Sequence, residues 1–407
     1  MAQEARRAEG VTGTKEEAWK AGGLTGTKEE AWKAGGPTGI KEAVASARGP
    51  AGTSRNVLVV APAWVGDMVM AQSLVAELKR RAPADAVDLL APPFTASLGP
   101  RMPGVRNTIV IGAAHGRFDL IERARVGRTL RAESYGLAIV LPGSLKSAIA
   151  PFVARIPKRR GYVGEWRYGL LNEARRLDKK QLKRTVDRFV ALAGEPSESL
   201  GTITVPALSH DPAQAGTLAA RLGLRTDRQV IALCPGAEYG PAKQWPAAHF
   251  AALAAHLARA GFAAWIFGSA KEMTIGDTIA TLAAAHNRDA RPVNLAGRTT
   301  LIEAIDLLSL AAGAVTNDSG LMHIAAALKR PLVALYGSSA PAMTPPLGEA
   351  VTIVERTLPC RPCFKRTCPL GHLDCLNLIP AAAVADAIVT AVRANQATAS
   401  SAAAQPL

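Results

Sequence analysis

The chain has 407 residues, of which 48% are hydrophobic, and Lys and Arg outnumber Asp and Glu by 48 to 33. That length suits two domains of about 150 residues each. The net charge of +15 favours an anionic partner. Only 5% of the residues are aromatic, and no zinc-finger, RNA-recognition or basic-zipper signature is present, which argues against nucleic-acid binding.

The sequence also indicates whether the protein crosses a membrane or is secreted. It has no run of about 18 apolar residues, and its N-terminus lacks the basic and then apolar order of a signal peptide. We therefore expect a soluble, cytoplasmic chain whose contact with a membrane is peripheral. Among anionic partners, a lipid surface or a polyphosphate fits better than nucleic acid.

The first 55 residues contain a short tandem repeat. Residues 12–23 recur at residues 25–36, and a third copy starts at Thr38. Each copy is polar and too short to bury a core, so residues 1–55 are predicted to be a disordered extension. Residues 394–407 are predicted to be a disordered tail.

Between these ends, strand-like apolar runs alternate with helix-like segments. A first series of runs begins at residues 56–60 and a second at residues 230–234. Continuous apolar strands alternating with helices are typical of parallel sheets covered on both faces. We predict an α/β chain with one domain at residues 56–205 and another at residues 206–393.

The first candidate for chemistry is Asp67, which lies between the first strand and a helix. A carboxylate there can project into a cleft from a rigid element, as a general base must. It is also well placed to be a helix N-cap, and the residues alone leave both roles open.

Two loops of the second half carry further candidates. Lys243 lies in Pro-Gly-Ala-Glu-Tyr-Gly-Pro-Ala-Lys-Gln-Trp-Pro at residues 235–246, where its compact charge would suit a diphosphate leaving group. A solvated surface lysine is the alternative. Glu272 follows the next strand and would accept hydrogen bonds from ribose hydroxyls, or be an exposed acid at a helix start.

The most informative segment is Val-Thr-Asn-Asp-Ser-Gly-Leu-Met-His at residues 315–323, which ends a strand, turns and enters a helix. Asp318 or Ser319 can cap this helix, and Gly320 allows a ligand to approach the backbone. His323 falls near the first turn, beside N–H groups that attract anions. The segment predicts a site for a phosphorylated ligand, with a plain capped turn as the alternative.

A basic and aromatic cluster lies at residues 158–169. Its cations are Lys158, Arg159, Arg160 and Arg167. Arginine forks match phosphate and carboxylate groups, so an anionic acceptor could dock there. A solvated basic face is the other interpretation.

Four of the five cysteines lie at residues 360–375 with the spacing C-x2-C-x4-C-x6-C, and His372 lies among them. In a cytosolic chain such density indicates a metal, a redox pair or a loop staple. The spacing is not that of a standard zinc ribbon or finger. Cys234 lies in a strand and is expected to be a buried apolar residue.

Together these segments resemble the ADP-heptose:lipopolysaccharide heptosyltransferases of glycosyltransferase family nine, and most of all their type II members. The resemblance covers roughly residues 56–393. It rests on the cysteine-rich loop and on residues 64–72, 167–172, 235–246 and 316–323. It implies a GT-B architecture of two Rossmann-like domains facing across a cleft, with the acceptor on the N-terminal domain and ADP-heptose on the C-terminal one.

The resemblance also implies the reaction. This is an inverting transfer of L-glycero-D-manno-heptose from ADP-heptose to the first heptose of the lipopolysaccharide inner core, without a metal or cofactor. Asp67 is the implied base and Lys243 the implied stabiliser of the departing ADP. The implied donor residues are Glu272, Asp318, Ser319, Gly320, Leu321 and His323. The acceptor, Kdo- and heptose-bearing lipid A, would bring the chain to the cytosolic face of the inner membrane.

Three alternatives stay open at this point. They are a heptosyltransferase I that acts on Kdo, a sugar-nucleotide epimerase of the same fold, and a non-catalytic binding protein. The residues do not determine the oligomeric state, the state of the cysteines or a role for the N-terminal repeats.

Overall fold

The structure, a computed structural model, describes residues 55–112 and 118–403. Apart from Arg55, the extension predicted for residues 1–55 lies outside the described residues, as do residues 404–407 of the predicted tail. The α/β prediction is confirmed, because the described chain forms two six-stranded sheets covered by helices.

The first half of the chain folds around a sheet in which every pair of neighbouring strands is parallel. Its strands are β1 (Asn56–Val60), β2 (Ala86–Ala91), β3 (Val105–Val110), β4 (Tyr135–Val140), β5 (Lys158–Tyr162) and β6 (Glu173–Arg175). The helices of this half are α1 (Val65–Arg81), α2 (Pro93–Ala96), α3 (Leu120–Thr129), α4 (Ile149–Val153) and α5 (Thr185–Val190).

The second half repeats the arrangement with a second parallel sheet. Its strands are β7 (Val230–Cys234), β8 (Ala263–Ile266), β9 (Val293–Asn294), β10 (Gly313–Asn317), β11 (Leu332–Tyr336) and β12 (Val351–Glu355). The helices are α6 (Pro212–Arg221), α7 (Ala247–Arg259), α8 (Met273–His286), α9 (Leu301–Ser309), α10 (Gly320–Ala327), α11 (Asp374–Asn377) and α12 (Ala381–Ala403).

The two sheets have the same strand order, with the first strand of each half next to the fourth. The orders are β3-β2-β1-β4-β5-β6 and β12-β11-β10-β7-β8-β9. In such doubly wound sheets the chain changes direction between those two strands, and the crevice at their carboxyl ends is where ligands bind. The candidate residues after β1, β7 and β10 therefore lie at these positions.

Burial follows strand position in each sheet. The central strands β7, β10 and β11 are buried along their whole length, whereas the edge strand β12 is mostly exposed. A strand covered by helices on both faces needs a continuous apolar run, which explains why these segments were recognisable in the sequence.

The segment between the two sheets contacts both halves. Ser73 Oγ in α1 donates a hydrogen bond to Thr204 O at 2.6 Å, and the Ala207 amide donates to Gln72 Oε1 at 3.0 Å. One residue later, the Leu208 amide donates to Ala327 O in α10 at 3.2 Å. The connection therefore holds α1 beside α10, the two helices whose first turns carry candidate site residues.

The C-terminal helix α12 runs to Ala403, ten residues beyond residue 393, where the sequence placed the end of the second domain. Residues 394–403, which were predicted to be part of a disordered tail, are thus helical, and five of these ten residues are alanine, the strongest helix former. Within residues 55–112 and 118–403, no helix is both long and apolar enough to cross a membrane.

Candidate active site

Three loops at the carboxyl ends of β1, β7 and β10 meet in the cleft. Lys243, from the loop after β7, pairs with Asp318, from the turn after β10. The charge of Lys243 also acts on Asp67, which follows β1. The structure therefore brings together the two halves of the predicted site.

Asp67 lies in the first turn of α1, and it does not cap that helix. The N-cap is Trp64, and no side chain makes a capping hydrogen bond there. Removal from water raises the pKa of Asp67 from 3.8 to about 6, and the positive charge of Lys243 limits that rise. The carboxylate is therefore held at the cleft with a proton affinity suited to a base near neutral pH.

Lys243 ends a short 3-10 turn, Pro241–Lys243, and its side chain is largely buried. Its Nζ lies 2.5 Å from Asp318 Oδ2 and 5.0 Å from the centroid of the Tyr239 ring. An ammonium is attracted both to a carboxylate and to the face of an aromatic ring, so these two contacts hold the Lys243 side chain in place.

Asp318 is itself held by a second donor. Ser339 Oγ, in the turn after β11, donates to the same Oδ2 atom at 2.5 Å. Asp318 is only 7% exposed, and its two partners replace the hydrogen bonds that a carboxylate loses when it leaves water. The pair of Lys243 and Asp318 is therefore a fixed element of the cleft.

Asn317 joins the two ends of the loop that carries Lys243. Its Nδ2 donates to Pro235 O at 2.7 Å, and its Oδ1 accepts from the Trp245 amide at 3.1 Å. Both contacts are buried. Because Asn317 closes the base of this loop, the position of Lys243 depends on β10 as well as on β7.

The first turn of α10 presents open hydrogen-bond donors. Ser319 is the N-cap, but its side chain makes no capping bond, and its buried Oγ has no partner among the described residues. The backbone N–H groups of a first helical turn have no acceptor within the helix. An anionic ligand would satisfy both kinds of donor. The Leu321 side chain is partly buried and packs against the core.

His323 is buried in the same helix and faces the other half of the protein. A Cβ atom on Gly66 would lie 2.7 Å from His323 Cδ2, so the imidazole rests directly on the backbone that precedes Asp67. Burial lowers the pKa of His323 from 6.5 to about 4, helped by Lys243 and opposed by Asp318. The ring is therefore neutral at pH 7.

Glu272 lies at the border of this group. It forms a capping box with Ser269, whose amide donates to Glu272 Oε2 at 2.7 Å. A Cβ on Gly236 would lie 3.0 Å from Glu272 Cδ, so the carboxyl group adjoins the start of the Lys243 loop. Glu272 is thus next to the predicted donor site, and its carboxylate accepts a hydrogen bond within its own turn.

Known proteins resemble this chain in sequence and in fold. The model for glycosyltransferase family 9 (heptosyltransferase) matches residues 123–374. This chain belongs to glycosyltransferase family 9. The chain is 46% identical over 308 residues to lipooligosaccharide heptosyltransferase 2 of Haemophilus influenzae, which covers 74% of this chain and 88% of that relative. It is therefore an enzyme of the heptosyltransferase family.

Two Escherichia coli comparisons agree. Lipopolysaccharide heptosyltransferase 2 of strain K12 is 43% identical over 306 residues, which is 74% of this chain and 87% of the relative. The solved structure of E. coli ADP-heptose lps heptosyltransferase II matches with a TM-score of 0.75 and 38% identity, covering 84% of this chain and 99% of that one. The predicted GT-B arrangement of this family 9 enzyme is confirmed.

Two arginines predicted to contact the acceptor of the family 9 enzyme make hydrogen bonds inside the fold. Arg160 bonds Glu173 and the carbonyl groups of residues 192–194. Arg167 is 1% exposed and donates to Tyr162 O, Pro142 O and Ser147 Oγ. These buried guanidinium groups are already paired, Arg160 with the segment after α5 and Arg167 with the loop after β4. Their role as acceptor ligands stays a prediction.

The other two cations of that cluster differ from them. Lys158 is exposed at the start of β5. Arg159 is half-buried, lies 5.5 Å from the Phe152 ring centroid and donates to Leu170 O at 2.7 Å. Of the four predicted acceptor cations, Lys158 alone has an exposed side chain.

The structure places three further residues beside the candidate site, to which the sequence pattern had assigned no role, and these are Tyr239, Asn317 and Ser339. A signal for Ser339 was present, because Gly337-Ser338-Ser339 follows an apolar strand just as Asp318-Ser319-Gly320 does. Its pairing with Asp318 required knowing that β10 and β11 are neighbours.

The described part of the chain contains no group of three or more His, Cys, Asp or Glu side chains arranged to hold a metal ion. None of the five cysteines forms a disulfide.

Proposed function

We propose that this family 9 enzyme transfers L-glycero-D-manno-heptose from ADP-heptose to the first heptose of the lipopolysaccharide inner core, with inversion at the anomeric carbon. The observation that carries the choice of acceptor is the 43 to 46% identity with four heptosyltransferases named type 2, over 74% of this chain. The match to heptosyltransferase 1 of Pseudomonas aeruginosa is 27% identical.

The proposed chemistry is a single displacement. The acceptor hydroxyl attacks the anomeric carbon as the bond to the diphosphate oxygen breaks. Asp67 takes the hydroxyl proton, and ADP leaves with the bonding electron pair. The support for Asp67 is its place at the cleft and its pKa of about 6, which leaves it mostly ionised at pH 7.

Stabilisation of the leaving ADP is assigned to Lys243 and the first turn of α10. Lys243 supplies a positive charge, and the α10 amides and Ser319 Oγ supply hydrogen-bond donors. Preorganised groups of this kind stabilise developing charge most effectively in sites that exclude water. Asp318 and Ser339 support the role by holding Lys243 in position.

Glu272, Leu321 and His323 complete the proposed donor site. Glu272 adjoins Gly236 at the start of the Lys243 loop, where a ribose hydroxyl could be bound. Leu321 contributes its backbone, and neutral His323 contributes shape and a ring nitrogen. Lys158 remains a proposed acceptor contact because its side chain is exposed.

Transfer is proposed to need neither a catalytic metal nor a cofactor. The argument is that Lys243 and the helix terminus already provide the positive potential that the departing diphosphate requires. Turnover should therefore be unchanged by a strong chelator. Loss of turnover with chelator and its recovery with a divalent cation would contradict this part of the proposal.

The acceptor is a lipid, so we place the enzyme at the cytosolic face of the inner membrane, attached peripherally. The charge distribution supports this placement. Residues 56–205 contain 23 Lys and Arg against 13 Asp and Glu, whereas residues 206–393 contain 16 against 13. The acceptor half is thus the one suited to an anionic surface.

The function is tested by measuring ADP release from ADP-heptose with two acceptors. One inner-core acceptor carries a single heptose and the other carries none, and Asp67→Ala is assayed beside the wild type. Turnover with the heptosylated acceptor alone, lost in Asp67→Ala, is expected. Turnover with the bare acceptor alone would indicate transfer to Kdo, and epimerised or free sugar without an acceptor would indicate an epimerase.

A further inference from the structure

The cysteine loop, residues 360–375, places four thiols around one small cavity. Cys360, Cys363, Cys368 and Cys375 all line a space of about 20 Å³, with His372 at its wall. Burial raises the pKa of Cys375, and the nearness of the other three cysteines raises it further. The four side chains are therefore neighbours in space, although none is joined to another.

Cys368 differs from the other cysteines of the loop in its surroundings. The backbone of residues 370–373 lies close to its sulphur, and the N–H dipoles there lower the pKa of Cys368. The turn that makes this possible has Gly371 at φ 74° and Leu373 at φ 53°. Cys368 is also half-exposed, whereas Cys375 is buried. A stabilised and accessible thiolate is the reactive form of cysteine.

The cysteine loop packs against the loop that carries Lys243. The Ala242 amide donates to Arg366 O at 3.0 Å, and Tyr239 Oη donates to Phe364 O at 2.7 Å. Tyr239 is the residue whose ring lies beside Lys243 Nζ. Movement of the cysteine loop would therefore move the backbone next to Lys243 and the ring that contacts it.

The same loop also holds the turn that supports Asp318. The Phe364 amide donates to Ser338 O at 2.8 Å. Arg361 donates through Nε to Gly337 O at 2.6 Å and through Nη2 to Ser339 O at 3.1 Å. The cysteine loop thus supports the turns that carry both partners of Asp318, which are Lys243 and Ser339.

We propose that the cysteine loop is a thiol modification site. Cys368 reacts there with a small-molecule disulfide, and a neighbouring cysteine of the loop then closes an internal disulfide. This internal disulfide impairs heptosyl transfer. The Cys368 thiolate attacks one sulphur of the external disulfide, and a small-molecule thiolate leaves. A second loop thiol attacks the mixed disulfide, and the second small-molecule thiolate leaves. The protein loses two protons and two electrons, and the external disulfide is reduced to two thiols.

The geometry favours this chemistry over a metal site, because within the described residues no three of these side chains converge on a metal-binding position. The link to activity comes from the contacts. A disulfide requires Cα atoms about 4.4–6.8 Å apart, so its closure would constrain the backbone of the cysteine loop. Because this loop is hydrogen-bonded to the turns that carry Lys243 and Ser339, those turns would shift with it.

The first arm of the test measures the thiols themselves and does not depend on the proposed function. The folded wild-type protein is treated with oxidised glutathione and analysed by mass spectrometry of its peptides, before and after dithiothreitol. Cys368 should form the first mixed disulfide, followed by an internal disulfide within residues 360–375. Cys234 is buried in β7 and should stay unmodified, which makes it the internal control. Modification of Cys234 at the rate of Cys368 would overturn the proposal.

The second arm measures transfer and rests on the proposed function. Oxidised wild-type enzyme should lose roughly tenfold or more in turnover, a size expected when an electrostatic group is displaced. Dithiothreitol should restore it. Cys368→Ser should start with near wild-type turnover and resist the oxidant. Cys363→Ser is measured in parallel, so the test survives if one variant folds poorly.

The two arms separate the possible failures. If wild type has no transfer activity before oxidation, the proposed function fails while the labelling result still stands. An internal disulfide that leaves turnover unchanged would overturn the regulatory link. Thiols that resist the oxidant until one equivalent of bound zinc is removed would also overturn the proposal, and would assign the loop to a metal instead.

Discussion

Burial in the cleft acts in opposite directions on the pKa values of Asp67 and His323. Removal from water disfavours the charged form of each group, so the pKa of Asp67 rises to about 6 and that of His323 falls to about 4. Asp67 therefore exchanges its proton close to physiological pH, whereas His323 does not. Of these two groups, Asp67 is the one suited to proton transfer.

The pH dependence of kcat/KM should report Asp67. A base works only when ionised, so transfer should decline as the pH falls through about 6, rather than near 4 as for an ordinary aspartate. Because Lys243 lowers the pKa of Asp67, this acid limb should move to higher pH in Lys243→Ala. An acid limb that stays at the same pH in the variant would show that another group controls it.

Loss of Lys243 should reduce turnover strongly. Removing one group that stabilises developing charge costs about 10² to 10³ in rate, so Lys243→Ala should fall by that factor in kcat. The matched control is Lys271→Ala, because Lys271 is an exposed lysine of the next loop that pairs with exposed Glu238. Steady-state kinetics measures kcat of the two variants, and Lys271→Ala should keep the wild-type value. Full turnover in Lys243→Ala would remove its assigned role.

At the scale of elements, the first turns of α1 and α10 are packed without space for an added methyl group. A Cβ on Gly320 would lie 2.7 Å from Val65 Cβ, and one on Gly66 would lie 2.7 Å from His323 Cδ2. Real Cβ atoms do not approach so closely. The two glycines therefore let the helix that carries Asp67 meet the helix proposed to bind the donor.

Gly66→Ala should weaken both folding and transfer. Overpacking a tight contact costs roughly 1–3 kcal/mol, and displacement of His323 would separate Asp67 from the donor side of the cleft. Chemical denaturation and turnover are measured together. Gly216→Ala is the control, since a Cβ there meets nothing within 4 Å in helix α6. It should be neutral or stabilising by about 0.5–1 kcal/mol. Equal stability and activity in the two variants would contradict the packing argument.

At the scale of the whole molecule, the positive charge lies mainly on the first half. Residues 56–205 contain 23 Lys and Arg against 13 Asp and Glu, an excess of 10 positive charges. Residues 206–393 contain 16 against 13, an excess of 3. Many of these cations are on the surface, including Lys158, Lys179 and Lys180. Attraction to an anionic surface would therefore orient the first half of the chain towards it.

Binding to vesicles that carry the inner-core acceptor should weaken as salt rises. Exposed charges are screened over about 8 Å at physiological ionic strength and over about 3 Å at 1 M. Co-sedimentation at increasing salt measures the effect, with neutral vesicles lacking the acceptor as the control. Binding that is equally strong at high salt, or on the neutral vesicles, would contradict peripheral attachment driven by charge.

The sequence by itself determined the fold class and where the loops that carry Lys243 and Asp318 lie. Strands β7, β10 and β11 are buried on both faces, so they had to be continuous apolar runs and could be recognised as such. In parallel sheets the loops after these strands lie at one edge, which is why Lys243 and Asp318 could be assigned to one site. Both predictions depend on local pattern and on a general rule of sheet geometry.

Tertiary structure alone decided the rest. The basic run at residues 158–169 does not reveal that Arg160 and Arg167 are paired internally while Lys158 is exposed, because that depends on which carbonyl groups the loops bring near. The local sequence also does not reveal that Ser339 lies beside Asp318 or that His323 packs against Gly66. The pKa values of Asp67 and His323 follow from burial and from charges on distant segments, so they exist only once the two sheets have packed together.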